Sequence, residues 1–403
     1  MSMVRAEPFT LVVVRRHHEL DTGTLRAVIR GAGLNVYEFV RLLWGARFAV
    51  HFVPIFTHRH LAMKPTFPSS IALLTLTAAT AHAQQAWLVR ELTSPLAYPV
   101  LTPGVGDGDY RIAPPYSHAP ELTPRDGVPR GTIYQFVMDS ADSKLFPGIA
   151  KDRPGELVPY HRRVTVYVPS QYVQGTPAPF FVSQDSMGSG IMPTILDNMI
   201  EDKRLPAMVG VFLDSGGNDA QGSERGLEYD AMSGRYAEFI EFEVLPKITR
   251  DYKVTFTKDP DARMTMGGSS GGACALTMAW YHPEWYHRVL TYSGTYVDQE
   301  WPFNPKAPRG AWEYHANFIP NSRPKPLRIW MEVGDNDIRP KDEEWTLHNW
   351  PLANIRTAKA LKAKGYHYQF VWAADAAHVD GRVVDQTLAA ALEYVWKGYQ
   401  AKR

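Results

Sequence analysis

Two serines stand between two pairs of glycines in Thr265–Leu276, TMGGSSGGACAL, and two overlapping G-x-S-x-G frames run through the stretch. One frame is Gly267-x-Ser269-x-Gly271 and the other is Gly268-x-Ser270-x-Gly272. A serine on a tight strand-to-helix turn, with small residues two before and two after, is the arrangement that exposes a nucleophilic hydroxyl. A flexible linker would have polar flanks, but apolar Met264–Met266 precedes the turn and an apolar run follows it. A phosphate cradle would need a lysine after the glycines, where Ala273 and Cys274 stand. The pattern alone does not choose between Ser269 and Ser270.

A serine hydroxyl attacks a carbonyl only when an imidazole takes its proton and a carboxylate orients that imidazole. On a strand-helix scaffold of this kind the chain order is serine, acid, histidine. His378, in AADAAHVDG, follows the last expected strand and precedes the last expected helix, which is where the base belongs. His287 and His367 precede strands, and His282 ends the helix behind the serines. For the acid, the strand LRIWMEV runs into Gly334-Asp335-Asn336-Asp337. The spacing favours Asp337, with Asp335 the alternative acid and Glu332 a distant third. The oxyanion hole needs the N–H of the residue after the nucleophile and another from the loop after an earlier strand. Gln184–Gly188 is that loop, with Ser186 N–H the first expectation and Met187 the second.

These groups must be carried by strands whose carboxyl ends share one edge. From Gly131 onward, apolar strand-like runs alternate with helical ones: Thr132–Met138, Arg163–Val168, Ala178–Ser183, Met208–Leu213, Met264–Met266, Val289–Tyr292, Leu327–Val333 and Tyr368–Trp372 as strands. Helices are expected near Ile191–Asp202, Arg235–Asp251, Gly271–Tyr281 and Val383–Tyr399. The alternation predicts an α/β class with a mostly parallel central sheet and helices on both faces. The order fits an α/β-hydrolase fold. Gln84–Arg130, rich in Pro, Gly and Tyr, is expected to be an extended N-terminal strap, and the catalytic domain to span 131–403. Gly104-x-Gly106-x-Gly108 lies in the strap without the strand and helix that a dinucleotide site requires.

The 403-residue chain is 45% apolar and carries a formal charge of +1, so a sizeable core is available and no global field points to nucleic acid. Its single cysteine, Cys274, excludes an intrachain disulfide framework and is expected to act as a small buried hydrophobe. From Met63 the text reads MKPTFPSSIALLTLTAATAHAQQ, with one basic residue, a short apolar stretch and Ala81-His82-Ala83 as a cleavage site. Residues 63–83 therefore read as a signal peptide, with Met63 the start codon and a periplasmic or secreted mature chain from Gln84. Residues 1–62, with eight arginines and no lysine, read as spurious upstream translation or a disordered arm. The mature chain has more carboxylates than cations and no later apolar stretch long enough to span a membrane.

With these residues in place the chain resembles the putative-esterase family of α/β-hydrolases, which includes enterochelin, feruloyl and acetylxylan esterases, esterase D and mycobacterial mycolyltransferases. The resemblance runs from about Gly131 to Tyr399. It rests on RRVTVYVPSQY, PFFVSQDSMG, EYDAMSGRYAEFIEFEVLPKITRDY, GGSSGGACALTMAWYHPEWYHRVLTYSG, EVGDND and AAHVDGR. Family elbows of the form G-x-S-x-G-G imply Ser269 as nucleophile and Ser270 as the oxyanion N–H. The oxyanion loop QDSMG departs from the family in lacking the H-G start of related esterases.

The resemblance implies an exported serine esterase that works through an acyl-enzyme, with Ser269, Asp337 and His378 as its triad and no metal or organic cofactor. The expected partner is a small-molecule or carbohydrate-linked ester: a siderophore, a feruloyl or acetyl carbohydrate, or a lactone. Acyl transfer through the same triad is the alternative, and a non-catalytic binding module on the same fold is another. Arg225, in a long loop after a strand, is a candidate substrate contact or the cation of a loop-pinning ion pair. Trp301 and Trp345 are candidates for an apolar or sugar-stacking wall against the substrate, alongside Trp312, Tyr314 and Trp350. No dense Arg/Lys cluster demands a catecholate, and no feature sets the oligomeric state.

Overall fold

Among the described residues nine strands form one sheet, and its central parallel strands Phe180–Gln184, Val209–Leu213, Arg263–Gly268 and Arg288–Tyr292 are buried along their whole length, as expected of strands covered on both faces. The computed structural model describes residues 2–4, 11–13, 86–148, 156–216 and 224–400. The chain divides into two units, 1–78 and 79–403. Of the first, the described parts are strands β1 (Ser2–Val4) and β2 (Leu11–Val13), an antiparallel pair. The expected signal peptide, 63–83, lies outside the described residues.

In the second unit the strands are β3 (Gly108–Ile112), β4 (Thr132–Asp139), β5 (His161–Val168), β6 (Phe180–Gln184), β7 (Val209–Leu213), β8 (Arg263–Gly268), β9 (Arg288–Tyr292), β10 (Arg328–Gly334) and β11 (His367–Ala373). Their spatial order is β3-β11-β10-β9-β8-β6-β7-β5-β4. All neighbours are parallel except β5, which runs antiparallel to both β7 and β4. The helices are α1 (Met192–Glu201), α2 (Glu224–Tyr229), α3 (Arg235–Phe239), α4 (Leu245–Tyr252), α5 (Ser270–Tyr281), α6 (Trp350–Ala363) and α7 (Gly381–Trp396). This is an α/β-hydrolase fold.

Successive side chains of a strand point to opposite faces, and the core divides accordingly. Phe180, Val182, Val289, Ile329 and Met331 join one buried cluster with the apolar residues of α5 and α6. Phe181, Leu290, Trp330 and Val371 join the other with α1 and α7. Helix α5 is buried from Ser270 to Trp280, so it is a core helix rather than a surface one.

Four elements depart from the sequence reading. The strap is not wholly extended: residues 86–93 are helical, and Gly108–Ile112 adds an edge strand parallel to β11. Its short length and polar sequence hide it from a periodicity search. The long loop expected around Arg225 contains α2. The insertion after β10 contains α6, which Asn349 caps by accepting from Leu352 N–H at 3.0 Å. The helix expected over Arg235–Asp251 is α3 and α4 joined by a π-helical turn, Ile240–Val244. Pro246 brings no backbone N–H to the regular ladder there.

Candidate active site

The parallel strands end on one edge, and four loops meet there. Ser269 follows β8, Ser293–Thr295 follows β9, Asp335–Asp337 follows β10 and Ala374–His378 follows β11. Ser269 has φ 57° and ψ −129°, a conformation that L-residues rarely adopt and that surrounding structure must hold. Its N–H donates to the Tyr292 carbonyl at 3.0 Å, and its own carbonyl accepts from Ala273 N–H at 3.1 Å and Thr295 N–H at 3.0 Å. The glycines of the first frame make the turn possible. A Cβ on Gly267 would lie 2.5 Å from the Gly271 backbone, and one on Gly271 would lie 3.0 Å from Gln184 Cβ.

The two serines sit in different environments. Ser269 is half-buried at the turn, while Ser270 is the first residue of α5 and is 1% exposed. Ser270 Oγ accepts from Gln299 Nε2 at 3.3 Å, and the same amide donates to Asp230 at 3.2 Å. Ser270 N–H opens the helix, so it has no carbonyl partner within it.

Asp337 is the carboxylate that meets His378: Nδ1 of the ring lies 2.5 Å from Asp337 Oδ1, with the carboxylate side chain fully buried. Ile338 N–H donates to the same oxygen at 2.6 Å. Asp335 is instead tied to the turn that carries His378. Its N–H donates to Ala373 at 3.1 Å, and Asn336 N–H donates to Ala376 at 3.0 Å. Burial raises the Asp335 carboxyl above its ordinary value, against the pull of the Asp375 and Ala376 N–H groups. Glu332, wholly buried on β10, has no hydrogen-bond partner for either oxygen among the described residues. Burial, then the charges of Asp337 and Asp380, push its carboxyl far up, so it is held neutral.

Ser269 and His378 approach through their neighbours. Val379 N–H donates to Ser293 Oγ at 2.9 Å, and a Cβ on Gly268 would lie 3.0 Å from Val379 Cγ1. Ser269 Oγ pairs with Thr295 Oγ1 at 3.4 Å rather than with His378. Trp350 donates its indole N–H to Thr295 Oγ1 at 3.3 Å and sets its ring edge-on to His378, with centroids 6.3 Å apart.

The loop after β6 differs from expectation. Asp185 and Ser186 both have positive φ, and the loop's N–H groups are engaged. Ser186 N–H donates to Leu213 at 2.8 Å, Met187 N–H to Gln184 at 3.1 Å and Asp185 N–H to Tyr229 Oη at 3.1 Å. Neither expected loop donor is therefore free in this conformation. Arg225 clamps the loop by a two-pronged pair to Asp185, with Nη2 2.7 Å from Oδ2, and its guanidinium lies over the Tyr229 ring. Trp301 is half-buried against the core, and Trp345 is 43% exposed with its N–H on Glu343 at 2.8 Å.

Sequence reasoning missed Thr295, Gln299 and Asp230 and named Trp350 only as a candidate for an aromatic wall. The position of Thr295 just beyond the strand next to the elbow strand was the available signal. Cys274 is buried on α5. Among the described residues no group of His, Cys, Asp and Glu is placed to hold a metal ion, and no helix is long and apolar enough to cross a membrane.

Asp230 supplies a pH-dependent term beneath the site. Burial pushes its carboxyl up to about 7, opposed by the Ser270 and Gln299 hydrogen bonds and by Arg225. A folded-state value above the unfolded one means stability is fully present below about pH 4 and is lost as pH rises through about 7. Wild type should therefore lose roughly 2 kcal/mol more than Asp230→Asn between pH 5 and pH 8. Chemical unfolding of both proteins at the two pH values checks this. Glu300, pushed up to about 7 mainly by burial, adds a slope of the same sign that the substitution leaves in place.

Residues 157–379, more than half of the chain, match the family model described as Putative esterase, and the chain belongs to that family. No curated protein matches it. Among solved structures it is similar to an enterobactin esterase from Shigella flexneri, at 19% identity and a TM-score of 0.46 over 67% of this chain and 60% of that one. It is similar to a ferric enterobactin esterase from Salmonella typhimurium, at 20% identity and 0.46 over 66% and 58%. A feruloyl esterase module from Clostridium thermocellum is similar at 17% identity and 0.46 over 72% and 97%. The chain spans about 60% of the length of the enterobactin esterases.

Proposed function

We propose that the protein is a serine hydrolase of carboxylic esters. One observation carries this reading: a serine in a strained strand-to-helix turn shares the carboxyl edge of the sheet with a histidine seated on a buried aspartate. Ser269 Oγ attacks the ester carbonyl as its proton passes to His378 Nε2, and Asp337 orients the ring and balances the imidazolium. The alcohol leaves with that proton. Water then attacks the acyl-enzyme, and His378 returns a proton to Ser269 as the acid departs.

Ser270 N–H, at the positive end of α5, is the oxyanion donor this geometry supports. A second donor from the 185–187 loop requires the loop to exchange its Leu213 or Gln184 bond for the oxyanion. Arg225 acts by holding that loop through Asp185. Membership of the family supports ester chemistry, and a siderophore, an acetyl or feruloyl carbohydrate, or a lactone is the proposed substrate class. The signal-peptide pattern of residues 63–83 supports export to the periplasm or beyond.

The test is a panel of acetyl, feruloyl, lactone and siderophore esters, with nitrophenyl acetate for a rapid readout. The expected result is hydrolysis of at least one class and a burst of alcohol equal to the enzyme present. Absence of turnover across the panel and of any burst would remove the hydrolase reading. An added alcohol that diverts most of the acyl group from water would replace hydrolysis by acyl transfer.

A further inference from the structure

We infer that Thr295 and Trp350 form a positioning relay that sets the direction of the Ser269 hydroxyl, an inference that rests on Ser269 being the nucleophile. An indole N–H can only donate, so Trp350 Nε1, 3.3 Å from Thr295 Oγ1, occupies a lone pair of that oxygen. Thr295 is 1% exposed, and a buried hydroxyl proton requires an acceptor. Ser269 Oγ, 3.4 Å away, is the hydroxyl paired with it. The resulting chain runs from Trp350 to Thr295 to Ser269, with Thr295 as donor to the serine oxygen. That leaves the serine's own proton free to turn toward His378.

The backbone keeps the pair in register. Thr295 N–H donates to the Ser269 carbonyl at 3.0 Å, so the threonine is fixed to the residue whose hydroxyl it meets. Asn354 Nδ2 donates to the Gly294 carbonyl at 2.8 Å, which ties the Thr295 loop to α6, the helix that Trp350 opens. The same indole stands edge-on to His378, so one side chain touches both the relay and the base. Both relay bonds lie beyond the usual ranges of about 2.7–3.2 Å for N–H···O and about 2.5–3.0 Å for O–H···O, as catalytic bonds often do before substrate tightens them.

The relay has a step at which it matters most. In deacylation the bond between the acyl carbon and Ser269 Oγ breaks, and the oxygen gathers charge until His378 returns its proton. A donor already on that oxygen stabilises it as it leaves, while the Thr295 proton stays on Thr295 throughout.

Thr295→Val removes the hydroxyl at nearly constant shape, and Thr295→Ser keeps it. For nitrophenyl acetate, kcat of the valine variant should fall about 10- to 100-fold, less than the roughly 10²- to 10³-fold cost of losing an oxyanion-hole donor, because this donor acts on the serine oxygen and not on the oxyanion. KM should stay within about threefold, and acyl-enzyme should accumulate because deacylation slows. The serine variant should return to within about fivefold of wild type. Trp350→Phe keeps the ring, loses the N–H and should fall between them; it carries the test alone should the valine variant not fold. Wild-type kcat in Thr295→Val or in Trp350→Phe, or equal losses in the valine and serine variants, overturns the relay. Ser269→Ala is run alongside: activity persisting there sinks the nucleophile reading, whereas a dead Ser269→Ala beside a fully active Thr295→Val sinks only the relay.

Discussion

Ser269→Ala is expected to lower kcat by about 10⁵ to 10⁶, the scale seen when a triad nucleophile is removed, while Ser270→Ala should stay within about tenfold of wild type. The neighbouring serines are chemically alike, so the contrast rests on their surroundings. Ser269 stands half-exposed in the strained turn that only tight packing of Gly267 against Gly271 permits. The Ser270 side chain is buried and accepts from Gln299. Its alanine variant keeps the backbone N–H proposed for the oxyanion and loses the side-chain hydrogen bonds to Gln299 and Asp230, each worth about 1 kcal/mol. Steady-state hydrolysis of nitrophenyl acetate by the two variants decides the matter. Equal losses would move the nucleophile out of the first glycine frame.

Asp337→Asn is expected to lower kcat by about 10⁴, the cost of presenting an amide where the imidazole needs a carboxylate, and Asp335→Asn should cost less than about tenfold. Of the two aspartates, Asp337 is the one that contacts His378, at 2.5 Å, and it does so fully buried, where a carboxylate oxygen both selects the tautomer and balances the imidazolium. Asp335 belongs to the turn that presents the histidine. Its amide variant should loosen that turn and leave the charge opposite the ring intact. The measurement is kcat for both variants across pH 6–9. A larger loss in Asp335→Asn than in Asp337→Asn would reverse the assignment of the acid.

Much of the scaffold was legible because parallel strands buried on both faces must be apolar throughout. The runs APFFVS, MVGVFL and LRIWMEV therefore stand out against polar loops. The candidate site was legible where it follows chain order along that scaffold. A glycine-flanked serine after one strand, an aspartate after a later one and a histidine after the last meet at one edge. What stayed hidden depends on packing between loops. Helix α6 opens with a tryptophan and a proline in a segment crowded with aromatics, so its amphipathic period is weak. The positive φ of Asp185 and Ser186 turns their N–H groups to protein partners, which no residue type in QDSMG announces. Thr295 carries no motif, and its approach to Ser269 follows from strand order, with β8 and β9 adjacent and parallel.

The central claim is that one hydroxyl, Ser269 Oγ, is the group that becomes acylated. Labelling residues 84–403 with a fluorophosphonate and mapping the modified peptide by fragmentation mass spectrometry tests it directly. The predicted result is one adduct per chain on Ser269, absent from Ser269→Ala and retained in Ser270→Ala. An adduct on Ser270, or a folded protein that takes no label, would contradict it.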